Sequence, residues 1–200
     1  PDTGTLTIKI KITNVALSGG MIIQNYDFEV RCAEGVVYQG DTYFGFFSKA
    51  ALADQVGIRE VEPYAPNTEE KARALQFPYP ESSPYPDDQM RMVEQVDCFD
   101  AKGGPHALGF IRGTAEVNPD AWFFKAHFHQ DPVWPGSLGL ESFMQLLKIV
   151  AFERWGEDAS NCTFQCMALE QRHSWLYRGQ ILPSDEKVTI QAVITEVDDE

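Results

Sequence analysis

The 200-residue chain has no uninterrupted apolar run near the roughly 20 residues that a bilayer-spanning helix needs. Its start shows neither the basic cluster nor the short apolar stretch of a secretory leader, so a soluble, cytoplasmic protein is expected. Positive charge is scarce: 16 Lys and Arg stand against 30 Asp and Glu, for a formal net charge of -14. That balance argues against nucleic-acid phosphates or an anionic membrane surface as the main partner. Cysteine is scarce too. Of the four, only Cys162 and Cys166 lie close together, and with His173 as the one soft donor nearby no structural metal is expected. What the chain does have is 44% hydrophobic and 12% aromatic residues, enough for a packed core.

Leu6 to Thr13 alternates apolar and polar side chains, the pattern of a half-buried strand. Ser18-Gly19-Gly20 reads as a turn. Two β-like runs follow, Met21 to Cys32 and Val36 to Phe47, and the three together predict an antiparallel meander. From Glu62 to Asp88 six prolines interrupt anything regular except a short helix over Thr68–Leu75, which predicts an extended linker crossing a surface. Beyond it, Met90–Phe99 and Ala107–Val117 read as a strand pair. Leu138 to Trp155 reads as the one long helix, with Leu140, Phe143, Met144, Leu147, Val150 and Ala151 as its core stripe and Gly156 as its stop. Strands are expected again at Cys162–Leu169, His173–Tyr177 and Val188–Ile194.

The last run repeats the first. Thr7, Ile8, Ile12, Thr13 and Val15 recur in the same spacing as Thr189, Ile190, Ile194, Thr195 and Val197. Such self-similarity predicts tandem copies, with the chain entering inside one copy and reaching the corresponding place in the next.

The chemistry is concentrated between Trp122 and Glu141. His127 and Glu141 flank a turn stiffened by Pro132 and Pro135, and that turn runs directly into the long helix. Gly136 and Ser137 stand at the helix start, where backbone N–H groups lack intrahelical acceptors and the dipole is positive. A base, an acid and an anion-stabilising terminus suit removal of a proton beside a carbonyl and expulsion of a hydroxyl. Singly, a His beside Phe is usually structural and a Glu in a first helical turn usually complements the dipole. His129 would share a face with His127 on an extended backbone; His106 reads as a turn residue and His173 as part of a solvated strand.

The segment His127-Phe128-x-x-Asp131-Pro132-Val133-x-Pro135-Gly136-x-Leu138-Gly139-Leu140-Glu141, with Gln145-Leu146 beyond, resembles the FabA/FabZ-type 3-hydroxyacyl-[acyl-carrier-protein] dehydratases. Asn118-Pro119-Asp120-x-Trp122-Phe123-Phe124 and Gly179-Gln180-Ile181-Leu182-Pro183 are similar to that family as well. The resemblance implies an α+β hot-dog fold, an antiparallel sheet wrapped around one long central helix, as part of a tandem or double hot-dog. On it, residues 1–60 are closing strands of a hot-dog unit, 61–89 a linker, and 90–200 the FabA-like unit, as in a polyunsaturated fatty acid synthase. It assigns His127 and Glu141 as catalytic residues and Gly136 as the donor to the thioester carbonyl. It also implies an acyl carrier protein as partner, an acyl thioester as substrate and no cofactor. The His and acid of one site usually come from two packed hot-dog copies, so a homodimer or pseudo-dimer is expected. Glu141 matches FabZ-type enzymes, whereas members that also isomerise the double bond usually carry Asp, which leaves isomerisation open. Trp134 replaces the usual Met and is expected to reshape the acyl tunnel. The rival readings are a hot-dog thioesterase and a non-catalytic copy within a larger synthase.

Overall fold

The computed structural model describes residues 4–53, 57–82, 84–156, 158, 161–164 and 168–198. The chain divides into two compact units, Pro1–Gly57 and Ile58–Glu200.

The N-terminal unit is a three-stranded antiparallel sheet, β1 (Thr7–Ser18), β2 (Met21–Cys32) and β3 (Gly35–Phe47), closed by a short helix α1 (Lys49–Ala53). The expected meander is present, and its first strand runs on to the turn at Gly19-Gly20. Both glycines there take positive φ, a conformation glycine adopts without a side-chain clash. An extra residue between Ile12 and Asn14 bulges β1, and a second irregularity follows Val30 in its pairing with β3.

The C-terminal unit is built on an antiparallel sheet in the order β4 (Leu75–Pro78), β5 (Gln95–Asp100), β6 (Phe110–Glu116) and β7 (Lys187–Val193). Helix α4 (Gly136–Trp155), 20 residues and about 30 Å long, packs across β6 and β7. The core between them holds Val96, Ile111, Leu146, Ile149, Val150 and Ile190. A second cluster of Met92, Val117, Phe123, Phe124, Trp134 and Leu138 gathers around α3 (Trp122–Ala126) and the start of α4. An antiparallel sheet carrying one long helix is the hot-dog arrangement. Among the described residues no helix is long and apolar enough to cross a membrane.

Helix and sheet approach closely at Gly113. A Cβ there would lie 2.7 Å from Val93 Cγ1 and 2.9 Å from Leu146 Cδ2, so glycine is what lets α4 sit down on β6.

Several expectations are corrected. The Pro-rich stretch is not an extended linker over a surface. It supplies α2 (Thr68–Arg73), the edge strand β4, and Tyr79, whose buried hydroxyl donates to the Gln145 carbonyl of α4 at 3.1 Å. The prolines fall around β4 rather than inside a central strand, so they interrupt periodicity without preventing burial. The core face of α4 is also rotated from the expected stripe. Leu138, Ser142, Gln145, Leu146, Ile149 and Val150 are buried, while Phe143 and Leu147 are exposed. The helix carries apolar residues on several sides, so spacing alone does not choose between them. Residues 168–177 form no strand; the expected strand at Cys162–Leu169 and the Cys162/Cys166 pair fall partly outside the described residues, and Cys162 itself is an exposed free thiol.

Helix α2 is fixed by a carboxylate latch. Asn67 caps the helix by accepting from the Glu69 and Glu70 N–H groups. Buried Glu70 accepts from Asn67 N (2.7 Å), from the Tyr64 hydroxyl and from Gly104 N (2.8 Å). The Asn67 N–H, then the Tyr64 hydroxyl, then the Gly104 N–H hold the Glu70 carboxyl below its usual range. A depressed carboxylate contributes stability that is complete above the ordinary value of about 4.3 and is lost as pH falls through the lowered one. Glu70→Gln is therefore expected to melt below the parent at neutral pH, with the gap narrowing in melts taken at successively lower pH below about 4.3.

Candidate active site

His127 closes helix α3. Its backbone N–H donates to the Phe123 carbonyl at 2.9 Å, and its own carbonyl accepts from Val133 N at 3.0 Å. Its ring Nδ1 lies 3.1 Å from the Val133 carbonyl oxygen. A carbonyl can only accept, so the proton of the neutral ring sits on Nδ1 and Nε2 is the basic nitrogen. The Phe128 ring lies against the imidazole, with centroids 3.8 Å apart. Phe128 and Asp131 exchange backbone hydrogen bonds, which closes a tight turn at Gln130. His129 is exposed in that turn and not on an extended strand with His127, which removes the basis for its shared-face role. His106 and His173 are likewise exposed and lie in other segments.

Gly136 is the first residue of α4. Pro135 precedes it with no side-chain cap, and the Pro135 carbonyl accepts from Leu138 and Gly139. The Gly136 and Ser137 N–H groups have no acceptor among the described residues, and they stand at the positive end of a long helix. Two residues that the motif did not point to lie over it. A Cβ on Gly136 would meet the Trp175 ring at 3.2 Å and Tyr177 at 3.6 Å. The Tyr177 hydroxyl donates to the Trp134 carbonyl at 3.3 Å, and Trp134 N donates to the Ile181 carbonyl at 2.9 Å. The segment Gly179–Pro183 therefore docks on the loop that leads into the helix. Burial raises the Tyr177 hydroxyl above its usual value.

Glu141 is half-buried in the second turn of α4, and its Oε1 accepts from Gln145 Nε2 at 3.1 Å. Gln145 is fully buried. The same amide donates to the Met90 carbonyl (2.8 Å), and its oxygen accepts from Met92 N (2.9 Å). The Glu141 carboxyl is thus anchored, through one side chain, to the backbone leading into β5. Gln145→Leu would leave the Met92 N–H buried without an acceptor, a loss of about 1–3 kcal/mol. The denaturant midpoint should fall accordingly, with an unchanged slope.

The structure brings Gly136, Trp134, Tyr177 and Trp175 together, and it joins Glu141 to Gln145. It does not join His127 to Glu141, since each makes its own bonds and none to the other among the described residues. Gln145 was within reach of the sequence as the residue one turn after Glu141 on the same helical face. Trp175 and Tyr177 carried no signal beyond their aromaticity.

Residues 85–200 match the FabA-like domain. The chain belongs to the FabA-like family. It is also 28% identical over 213 residues to a polyunsaturated fatty acid synthase subunit from Thraustochytrium sp. (strain ATCC 26185 / S-3), a match that covers 94% of this chain and 14% of that protein. The chain therefore spans only a small part of the length of this relative. Within the FabA-like match lie His127, Gly136, Glu141, Gln145 and both aromatic residues over the helix start.

Proposed function

We propose that the C-terminal unit dehydrates 3-hydroxyacyl thioesters carried on the phosphopantetheine arm of an acyl carrier protein, giving trans-2-enoyl thioesters within a polyunsaturated fatty acid synthase. The observation that carries this reading is the 3.1 Å approach of His127 Nδ1 to the Val133 carbonyl oxygen. An Nδ1–H donated there leaves Nε2 as the base.

The Gly136 N–H, at the positive end of α4, donates to the thioester oxygen and stabilises the charge that develops there, an effect of about 3–4 kcal/mol for one such donor. His127 Nε2 takes the C2 proton, and the C2–H electron pair becomes the C2=C3 double bond. The C3–O bond breaks, and Glu141, or a water it holds, gives the departing hydroxyl a proton so that it leaves as water. Elimination moves no net electrons, so no cofactor is required. On this reading the working site pairs His127 of one hot-dog unit with the acid of a second, in a homodimer or pseudo-dimer.

The test is incubation with 3-hydroxyacyl thioesters of several chain lengths, with the products analysed for double-bond position. Enoyl thioester is expected. Release of free thiol without enoyl product would mean a thioesterase and would overturn the assignment.

A further inference from the structure

Among the described residues Tyr79 is the largest side chain to be buried completely, at 1% exposure, and it takes a phenol hydroxyl into the interior with it. A site shaped for packing alone would suit Phe, because a buried hydroxyl has to find a partner. Here the partner is main chain: the hydroxyl donates to the Gln145 carbonyl of α4 at 3.1 Å. A carbonyl oxygen has a second lone pair for such a donor beyond the one used within the helix.

Gln145 is thereby gripped from two directions. Its carbonyl takes the Tyr79 hydroxyl, and its side chain is clamped between Met90 and Met92. Both grips hang on one frame, since Tyr79 N donates to the Glu94 carbonyl at 2.8 Å and Glu94 N to the Thr114 carbonyl of β6 at 2.9 Å. The clamp also decides how the amide is turned. Met92 N requires the amide oxygen and the Met90 carbonyl requires the amide nitrogen, so the remaining N–H faces Glu141 Oε1. With Oε1 accepting, the proton of the neutral acid belongs on Oε2. Burial first, then the neighbouring Tyr85 and Glu141, raise the Tyr79 hydroxyl above its usual range, so it stays protonated and keeps donating.

We propose that Tyr79 is a positioning residue for Glu141: by holding the Gln145 main chain level with Met90 and Met92, it sets the carboxyl where it meets the departing hydroxyl. Tyr79 lies in the Pro-rich stretch ahead of the FabA-like match at 85–200, so the catalytic unit reaches upstream of that match. The inference rests on the dehydratase reading of Glu141.

Tyr79→Phe, made in the whole chain, removes the hydroxyl and keeps the ring. Loss of water should slow several-fold at unchanged KM, while exchange of the substrate C2 hydrogen with deuterated solvent keeps its parent rate. Combined with Glu141→Gln, the substitution should slow the reaction no further than Glu141→Gln alone. In carbon-13 NMR the Glu141 carboxyl resonance, assigned by its absence in Glu141→Gln, should be displaced by Tyr79→Phe. Tyr64→Phe is the matched control. It removes a phenol hydroxyl of the same stretch that donates to Glu70, and it should lower stability while leaving both rates and the Glu141 resonance unchanged. A Tyr79→Phe variant with the parent kcat, or one in which water loss and C2 exchange fall together, would overturn the proposal. If the parent chain makes no enoyl thioester, the dehydratase reading fails by itself and the carboxyl resonance decides whether Tyr79 sets Glu141. An unmoved resonance overturns the proposal in either case.

Discussion

Replacing His127 by Ala is expected to slow dehydration of a 3-hydroxyacyl thioester by about 10²–10⁴-fold, the range that a positioned general base contributes. The backbone of the residue is held by its bonds to Phe123 and Val133 and the ring by the Nδ1 contact with the Val133 carbonyl, and only Nε2 is left for chemistry. His127→Asn sharpens the test. Its amide can take over the Nδ1 donation to the Val133 carbonyl, which keeps the turn while removing the base, so it should be as inactive as the Ala variant. Glu141→Gln separates the two roles. Loss of water should be suppressed, while His127-dependent exchange of the substrate C2 hydrogen with deuterated solvent persists. An Asn variant of wild-type activity would show that His127 is only the pin of its loop.

Gly113→Ala should be among the most damaging substitutions for stability, even though it adds one methyl group. That methyl would fall 2.7 Å from Val93 Cγ1, 2.9 Å from Leu146 Cδ2 and 3.1 Å from the Gln95 carbonyl oxygen. Both side chains are fully buried, and the third neighbour is backbone in the adjacent strand. None can move aside cheaply, and overpacking of this kind costs about 1–3 kcal/mol. Gly139→Ala is the matched control. It lies inside α4 with nothing within 4 Å of the new Cβ, and removing a helical glycine should add about 0.5–1 kcal/mol. Denaturant unfolding of the two variants should therefore move in opposite directions. A neutral Gly113→Ala would mean that helix and sheet do not approach as closely as these distances require.

Legibility differed from segment to segment for physical reasons. The alternation in β1 and the length of α4 were plain because periodicity reports a face that is either buried or built to be. The direction in which α4 turns was not. Phe143 and Leu147 fit a stripe as well as Leu146 and Ile149 do, and the side that meets the sheet is the one whose Leu146 seats at Gly113. The residues 61–89 were misread because proline density mimics a linker. The capping box at Asn67 and Glu70 was the available counter-signal. In the site, the motif carried His127, Gly136 and Glu141, whose places follow from a rigid turn feeding a helix. Trp175 and Tyr177 reach Gly136 from a segment without strand pairing, so no local pattern announced them.

The bolt between Tyr79 and the Gln145 carbonyl bears on how this unit could be excised or grafted. The family match begins at residue 85, yet a fragment cut there would shed β4, the Tyr79 ring and the Glu70 latch together. It would bare one border of β5 and take the Tyr79 hydroxyl away from the Gln145 carbonyl of α4. A transplantable piece should be severed near Gly57 instead, where the polypeptide passes from one compact body to the other.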